Sequence, residues 1–350
     1  MSFTLKNKKI GIFSDIHIGL GQDSSLNHKI VLDFAKWASE TFLNKGISDI
    51  IIPGDIFHNR NEISVETLSI AKEFFDYFND FRIFISTGNH DCFLKNKSDI
   101  NSISILNGWP NINIIDKKTE ILTYKDKKIS LVPWGVDAND IPLSDIMFGH
   151  FEITTFNMNS YKICDHGMKS ESLLSKSPLI ISGHFHTKQS RNYKNGKIVY
   201  VGSPYQQNFG DCNEDRGIYA LDLENEEFEF IENLISPKYY KISASKYIKD
   251  ENYIKDVDIV SNNNIISLVI DDKLSPEDIL SIKDKINKTN PQSIRVDYEN
   301  NDKDFDKNET DNEYDSSNIL KSIEDFIQTL DIDNKKEVED YLKELYNKLT

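Results

Sequence analysis

The sequence predicts an α/β fold in four layers, two stacked mixed sheets flanked by helices, followed by a small α+β domain and C-terminal helices. Three observations carry this. In the first hundred residues, continuous apolar runs such as Ile50-Ile51-Ile52 and Ile83-Phe84-Ile85 alternate with amphipathic helical stretches, the pattern of parallel strands buried on both faces. From about residue 110 to 236, short strands separated by turn signals dominate, the pattern of meanders. Beyond 300 the chain turns polar and acidic before apolar periodicity returns.

The elements follow in order. A first buried strand, Ile10-Gly11-Ile12-Phe13, ends at Asp15-Ile16-His17. Val31, Phe34, Ala35, Ala38 and Phe42 fall at helical spacing over 28–44, and Gly46 stops that helix. A second strand over 47–53 opens onto Gly54-Asp55-Ile56-Phe57-His58, and Ser64 caps a helix running to Asn79. The strand 81–87 enters Gly88-Asn89-His90-Asp91. A short helix is predicted over 99–107, then strands over 111–116, 120–124 and 128–133. The strand 145–148 leads to Gly149-His150, and 178–182 to Gly183-His184-Phe185-His186. Asn195-Gly196 is a hairpin turn, and 216–223 pairs with 227–231.

Pro237 opens a second region. Strands are predicted over 239–245, 265–270 and 293–298, with a helix begun by Ser275-Pro276 and ending near Asn287. The predicted division is 1–236, 237–300 as a small α+β domain, which the family resemblance given below implies to be a capping and DNA-binding domain, 301–317 as a flexible acidic linker, and 318–350 as a helical tail. In the tail, Ile319, Leu320, Ile323, Phe326, Ile327 and Leu330 share one helical face, and Val338, Tyr341, Leu342, Leu345 and Leu349 another. Two such short helices cannot bury both faces against each other. They form a docking element for a partner protein, or pack back on their own domain.

The formal charge is −16, and residues 301–350 hold 15 acidic against 7 basic side chains, a net of −8. Non-specific polyanion binding by the whole surface is thereby excluded, so contact with nucleic acid requires a local patch or metal ions. Cys92, Cys164 and Cys212 are widely spaced without a CxxC. That argues against a disulfide framework or zinc ribbon and for a reducing compartment, with Cys92 a small buried residue. No apolar run approaches the roughly 20 residues of a membrane span, and the N-terminus lacks a signal-peptide pattern. The expectation is a soluble cytoplasmic protein.

Six of the eight histidines sit at strand-terminal loops: His17, His58, His90, His150, His184 and His186. His28 and His166 fall outside and are expected on the solvated surface. Five of the six, with Asp15, Asp55 and Asn89, converge on one sheet edge. So many imidazoles repel when protonated and are costly to bury unpaired. Metal ions remove both problems, and mixed nitrogen and oxygen donors suit Mn, Fe or Zn. Eight groups exceed one ion's needs, while a carboxylate can bridge two. A two-metal site that activates water and clamps the oxygens of an in-line displacement at phosphorus is the economical inference.

The series Asp15-x-His17, Gly54-Asp55, Gly88-Asn89-His90-Asp91, His150 and Gly183-His184-x-His186 resembles the calcineurin-like metallophosphoesterase signature, complete and in order. Gly54-Asp55-Ile56-Phe57-His58 and Val201-Gly202-Ser203-Pro204-Tyr205-Gln206-Gln207 further resemble the SbcD/Mre-type nucleases of double-strand-break repair. The compact length is similar to the bacteriophage form, the nuclease subunit of a recombination endonuclease. The resemblance implies a Mn(II)-dependent exonuclease and endonuclease acting on double-stranded DNA ends and single-stranded DNA. Asp15, His17, Asp55 and His186 would hold one ion, and Asp55, Asn89, His150 and His184 the other. His90 matches the family's catalytic histidine, with Asp91 placed to orient it. His58 would place the DNA phosphate or nucleotide, or fix its own loop. The resemblance also implies an SbcC-type coiled-coil ATPase bound through 318–350. It implies a homodimer through helices near 64–79 and 98–108, where Phe74, Phe75, Phe78, Ile103 and Leu106 fit either that contact or ordinary core packing.

Three other readings compete. A phosphoprotein phosphatase would continue its second motif as Gly-Asp-x-x-Asp-Arg-Gly, where this chain has His58-Asn59-Arg60; a small-molecule phosphodiesterase would not need the tail. A non-catalytic DNA-tethering scaffold has no use for eight metal-binding groups.

Overall fold

The isoleucine-rich strands of the first ninety residues lie side by side at the centre of the molecule. The computed structural model describes residues 3–94, 97–159 and 162–298, together with 335, 336, 338, 341 and 342, which are helical. The predicted linker 301–317 and the rest of the predicted tail lie outside the described residues.

One sheet has six strands in the order Phe228–Glu232, Gly217–Asp222, Lys9–Ile12, Asp49–Pro53, Arg82–Ser86 and Ile112–Ile115. The last four are mutually parallel. The second sheet has seven, in the order Phe3–Thr4, Glu120–Tyr124, Lys127–Val132, Ile146–His150, Leu179–Gly183, Gly196–Tyr200 and Gln189–Tyr193. Ile50, Ile51 and Ile52 pair with Ile83, Phe84 and Ile85. Because side chains alternate along a strand, this register sorts them by face. Ile51 and Phe84 enter a core between the sheets, where they meet Phe148 and Ile181 of the other sheet. Ile50, Ile52, Ile83 and Ile85 face the helices Ser25–Asn44 and Val65–Asp76 through Phe34, Phe42 and Phe74. On the outer face of the seven-stranded sheet, Met147, Ile180 and Ile198 pack under the segment carrying Phe151, Phe156 and Leu173. These are the four predicted layers.

The parallel strands end at a common edge, so the polar loops after Ile12, Pro53, Ser86, His150 and Gly183 are gathered there by topology alone.

Residues 239–298 form a parallel three-stranded sheet with three helices. Their own core includes Ile242, Tyr247, Val257, Leu268, Ile282 and Ile286. As predicted, Ser275 caps the helix Pro276–Asn287 through a bond from Asp278 N. This part is continuous with the first: Tyr239 and Ile265 enter the helix-side core, and the Arg295 guanidinium lies 4.0 Å from the centre of the Phe209 ring.

Four expectations differ. The helix over 99–107 is a 3-10 helix and begins later, Ser102–Gly108, after a strand, Lys97–Asn101. Asn101 caps that 3-10 helix, its side chain accepting a bond from Ser104 N. The helices Ala244–Lys249 and Glu251–Ser261 were not predicted; Ala244, Tyr247, Val257 and Ser261 are their buried residues. His28 is not solvated. It is buried, with ring nitrogens 3.5 Å from Asp23 Oδ1 and 3.3 Å from Glu66 Oε1. Phe74, Phe75, Phe78, Ile103 and Leu106 are core residues, so they cannot form a dimer contact. The exposed apolar side chains near those elements are Val65, Leu68, Tyr77, Ile100 and Ile105. Among the described residues, no helix is long and apolar enough to cross a membrane.

Gly11 tests the packing. A Cβ there would fall 2.8 Å from the Phe42 ring, which is stacked on Phe13 and edge-on to Phe81. Gly11→Ala is expected to lower unfolding free energy by about 1–3 kcal/mol, as overpacked cores do. Urea unfolding measures this, and an unchanged midpoint would refute the packing account.

Candidate metal centre

The site is built on backbone that side chains rarely adopt. Asp15, His17, Asp55 and His184 have φ of 58°, 51°, 55° and 91°. Such conformations cost about 1–3 kcal/mol each and persist where surrounding structure fixes them. Here the loops after the first two strands bond to each other: Ile16 N donates to Asp55 O at 2.9 Å, Ile18 N to Ile56 O at 2.8 Å and His58 N to Ile18 O at 3.0 Å. Asp91 holds the second loop from below. Its carboxylate accepts from Asp55 N (2.9 Å), Ile56 N (3.0 Å), Phe57 N (3.2 Å) and Gly88 N (2.9 Å). Gly88 must lack a side chain, since a Cβ would lie 2.1 Å from Asp55 Oδ1. The stretch at 201–207 clamps the first loop: Tyr205 Oη donates to Ile16 O at 2.5 Å and Gln207 Nε2 to Asp15 O at 2.7 Å.

The seven residues expected as ligands come together in two groups that share Asp55. In the first, His17 Nε2 lies 3.1 Å from His186 Nε2 and 3.6 Å from Asp55 Oδ2, and Asp15 offers a carboxylate oxygen within 4.8 Å of both imidazoles. In the second, His150 Nε2 is 3.2 Å from Asp55 Oδ2 and 2.9 Å from Asn89 Oδ1, and His184 Nδ1 is 3.0 Å from the same amide oxygen. Asp15, Asp55 and His150 also offer donors within 4.8 Å of one another.

This donor set fits divalent cations. Two imidazole nitrogens facing each other require a proton or a cation between them, and one amide oxygen faces two more. Protonation is opposed at both ends of the cluster. Burial, then His90, holds His17 well below the usual histidine pKa. Burial also holds His184 down. Burial disfavours charge on His150 too, but the Asp55 carboxylate overrides it and raises the pKa to about 9. At Asp55 burial is outweighed by His150 and His90, which keep the carboxyl well below its ordinary range.

His58 and His90 stand at the half-buried side of this cluster. Their rings stack at 5.6 Å, and His90 lies 4.7 Å from the His17 ring. His90 Nδ1 is 2.7 Å from the His58 carbonyl oxygen, which fixes the ring. The orienting role expected of Asp91 is therefore corrected: its carboxylate is engaged by the four N–H groups, and a backbone carbonyl holds His90. Burial, with Asp55 nearby, pushes the Asp91 pKa up to about 7 against the pull of the Gly88 and Phe57 N–H donors.

Two neighbours were not anticipated. Trp134 packs against His150 and His184 at 5.8 and 5.4 Å. It follows a strand, as the site residues do, but carries no ligand atom to draw notice. Glu152 Oε1 is 3.7 Å from His184 Nε2 and 3.0 Å from His166 Nε2. Its position two residues after His150 was the available signal. His166 is exposed, as expected.

Without a cation, His150 carries a proton below about pH 9. Nδ1 keeps its proton on the Pro53 carbonyl oxygen at 2.8 Å, so a cation taking Nε2 must displace the other. Divalent-ion binding near neutral pH is expected to release a proton and to tighten as pH rises toward about 9. Calorimetry in buffers of different ionisation heat reads this; binding without proton release would remove His150 from the ligand set.

Residues 8–188 match the family model for calcineurin-like phosphoesterases. The chain is 34% identical over 240 residues to exonuclease subunit 1 of Enterobacteria phage T4, covering 64% of this chain and 68% of that protein. It is 28% identical over 245 residues to the uncharacterized protein R555 of Acanthamoeba polyphaga mimivirus, covering 64% of this chain but only 18% of that protein. A dimetal phosphatase structure from Danio rerio aligns over 61% of this chain and 92% of its own, at 11% identity and a TM-score of 0.39. The chain belongs to the calcineurin-like phosphoesterase family and is a metal-dependent hydrolase of phosphate esters.

Proposed function

We propose that the chain is a Mn(II)-dependent DNA nuclease, acting on double-stranded ends and single strands as the nuclease subunit of a break-repair and recombination complex in the cytoplasm of the host cell. The observation that carries this reading is the pair of donor groups sharing Asp55 with His58 and His90 beside them, in a chain similar to a phage exonuclease subunit. Asp15, His17, Asp55 and His186 hold one ion; Asp55, Asn89, His150 and His184 hold the other. Mixed nitrogen and oxygen donors without thiolate suit Mn(II). Two such ions supply a nucleophilic water at neutral pH and neutralise charge on the phosphate.

The chain's own groups do the rest. Rigid strand ends place the donors, and Asp91 keeps the Asp55 loop from shifting. His90 retains a proton at Nδ1 on the His58 carbonyl oxygen, so the proton it gives to the leaving oxygen comes from Nε2. Its backbone N–H donates to Asp55 Oδ1 at 2.9 Å, which ties acid and bridging carboxylate to one frame. The His58 ring, stacked beside it, is placed to receive the phosphate. The 239–298 sheet caps the site and guides DNA. Val65, Leu68, Ile100 and Ile105 supply the apolar surface of a homodimer, and the periodic tail docks an SbcC-type ATPase.

Purified protein is expected to degrade linear duplex DNA with Mn(II), to stop on chelation, and to leave a phosphopeptide intact. His90→Ala should bind Mn(II) as the parent does and lose about 10²–10⁴-fold in turnover. Parental cutting by that variant would remove the acid role, and phosphopeptide turnover without DNA cleavage would replace the nuclease reading with a phosphatase. Deletion of 317–350 should abolish ATPase-subunit binding and leave hydrolysis of a simple phosphodiester intact; retained binding would overturn the tail assignment.

A further inference from the structure

An imidazole offers a lone pair at one nitrogen only when its proton sits on the other, so whatever holds the second nitrogen decides whether the ring can be a ligand. His150 and His184 both face Asn89 Oδ1, from Nε2 at 2.9 Å and Nδ1 at 3.0 Å. For His150 the second nitrogen is held by the Pro53 carbonyl oxygen at 2.8 Å. For His184 the second nitrogen is buried and makes no hydrogen bond among the described residues. The carboxylate nearest to hand is Glu152, with Oε1 at 3.7 Å. Glu152 is itself held by His166, whose Nε2 lies 3.0 Å from Oε1 and whose Nδ1 lies 2.7 Å from Asp165 Oδ1.

We propose that Glu152 is a positioning residue for the site: its carboxylate accepts the Nε2 proton of His184, turns Nδ1 toward the cation shared with Asn89 and His150, and is held in place by His166. This rests on the two-cation reading above. Glu152 is not itself a ligand, because it faces the ring nitrogen that points away from Asn89. A simple ion pair with His166 would leave the buried His184 nitrogen unmet, a loss that folded proteins avoid. Closing 3.7 Å to hydrogen-bond length needs only a small movement of a partly exposed side chain, 26% accessible. A carboxylate in this place also makes the ring a stronger donor than a carbonyl does.

The test is Mn(II) binding to the metal-stripped full chain, counted by electron paramagnetic resonance, with turnover measured alongside. In Glu152→Gln, one of two ions is expected to bind about 10–100-fold more weakly, as loss of such an outer partner typically does, while the other binds as in the parent and the metal-free melting temperature is unchanged. His166→Ala should weaken the same ion by less. Two ions bound with parental affinity by Glu152→Gln would overturn the proposal. So would equal weakening of both ions together with a lowered melting temperature, which marks a merely structural role. A parent chain that binds fewer than two ions would instead overturn the two-cation reading, and this proposal with it.

Discussion

Four backbone N–H groups converging on the Asp91 carboxylate are the interaction on which the rest of the site depends. Three come from the loop after the second strand and one from the loop after the third. A single buried carboxyl group therefore fixes two loops to each other. The strained Asp55 backbone is tolerable because its neighbours on both sides are pinned. Gly88 allows the two loops to approach until only a hydrogen fits between them. Asp55 then stands where both donor groups can use it, and His90 follows from the same turn.

Around that frame the electrostatics are unresolved by protein groups alone. His17 and His184 are driven toward neutrality by burial, while His150 is held charged by Asp55. His17 Nε2 and His186 Nε2 face each other at 3.1 Å, so a proton or a cation must lie between them. Cations settle these conflicts together: they accept all the lone pairs, replace the proton on His150 and neutralise the carboxylates. Crowding that would destabilise a metal-free core is the preorganisation a metal site requires.

The strands and the convergence of polar groups were legible in the sequence for one reason. A parallel strand buried on both faces is a continuous apolar run, and its end is abrupt. The runs ending at Asp15, Asp55, Asn89, His150 and His184 gave both the layers and the shared edge. The motif at 201–207 was visible, but its clamp on Asp15 and Ile16 was not, since it joins residues about 190 positions apart. Asp91 was misread because adjacency to His90 suggests a side-chain partner, whereas a tight turn sends neighbouring side chains in different directions. His28 was misread because a polar residue on a helix reads as solvated until the neighbouring helix and loop cover it. The helices at 244–261 were legible only in their caps, Ser243 and Asp250, which accept from Lys246 N and from Asn252 and Tyr253 N.

The histidine rings show how little of a site is specified by its ligand atoms. His150 and His90 are each turned by a main-chain carbonyl oxygen, from Pro53 and His58. Both carbonyls belong to the end of the second strand or the loop after it, so the segment that carries Asp55 also aims two of the imidazoles around it. His184 follows the strand next to that of His150 in the same sheet, and its outer nitrogen faces the Glu152 carboxylate, with Oε1 at 3.7 Å. Where the main chain of one loop can orient a ring, sequence variation has little purchase on it. Where a carboxylate such as Glu152 must do so, the orientation depends on a single side chain.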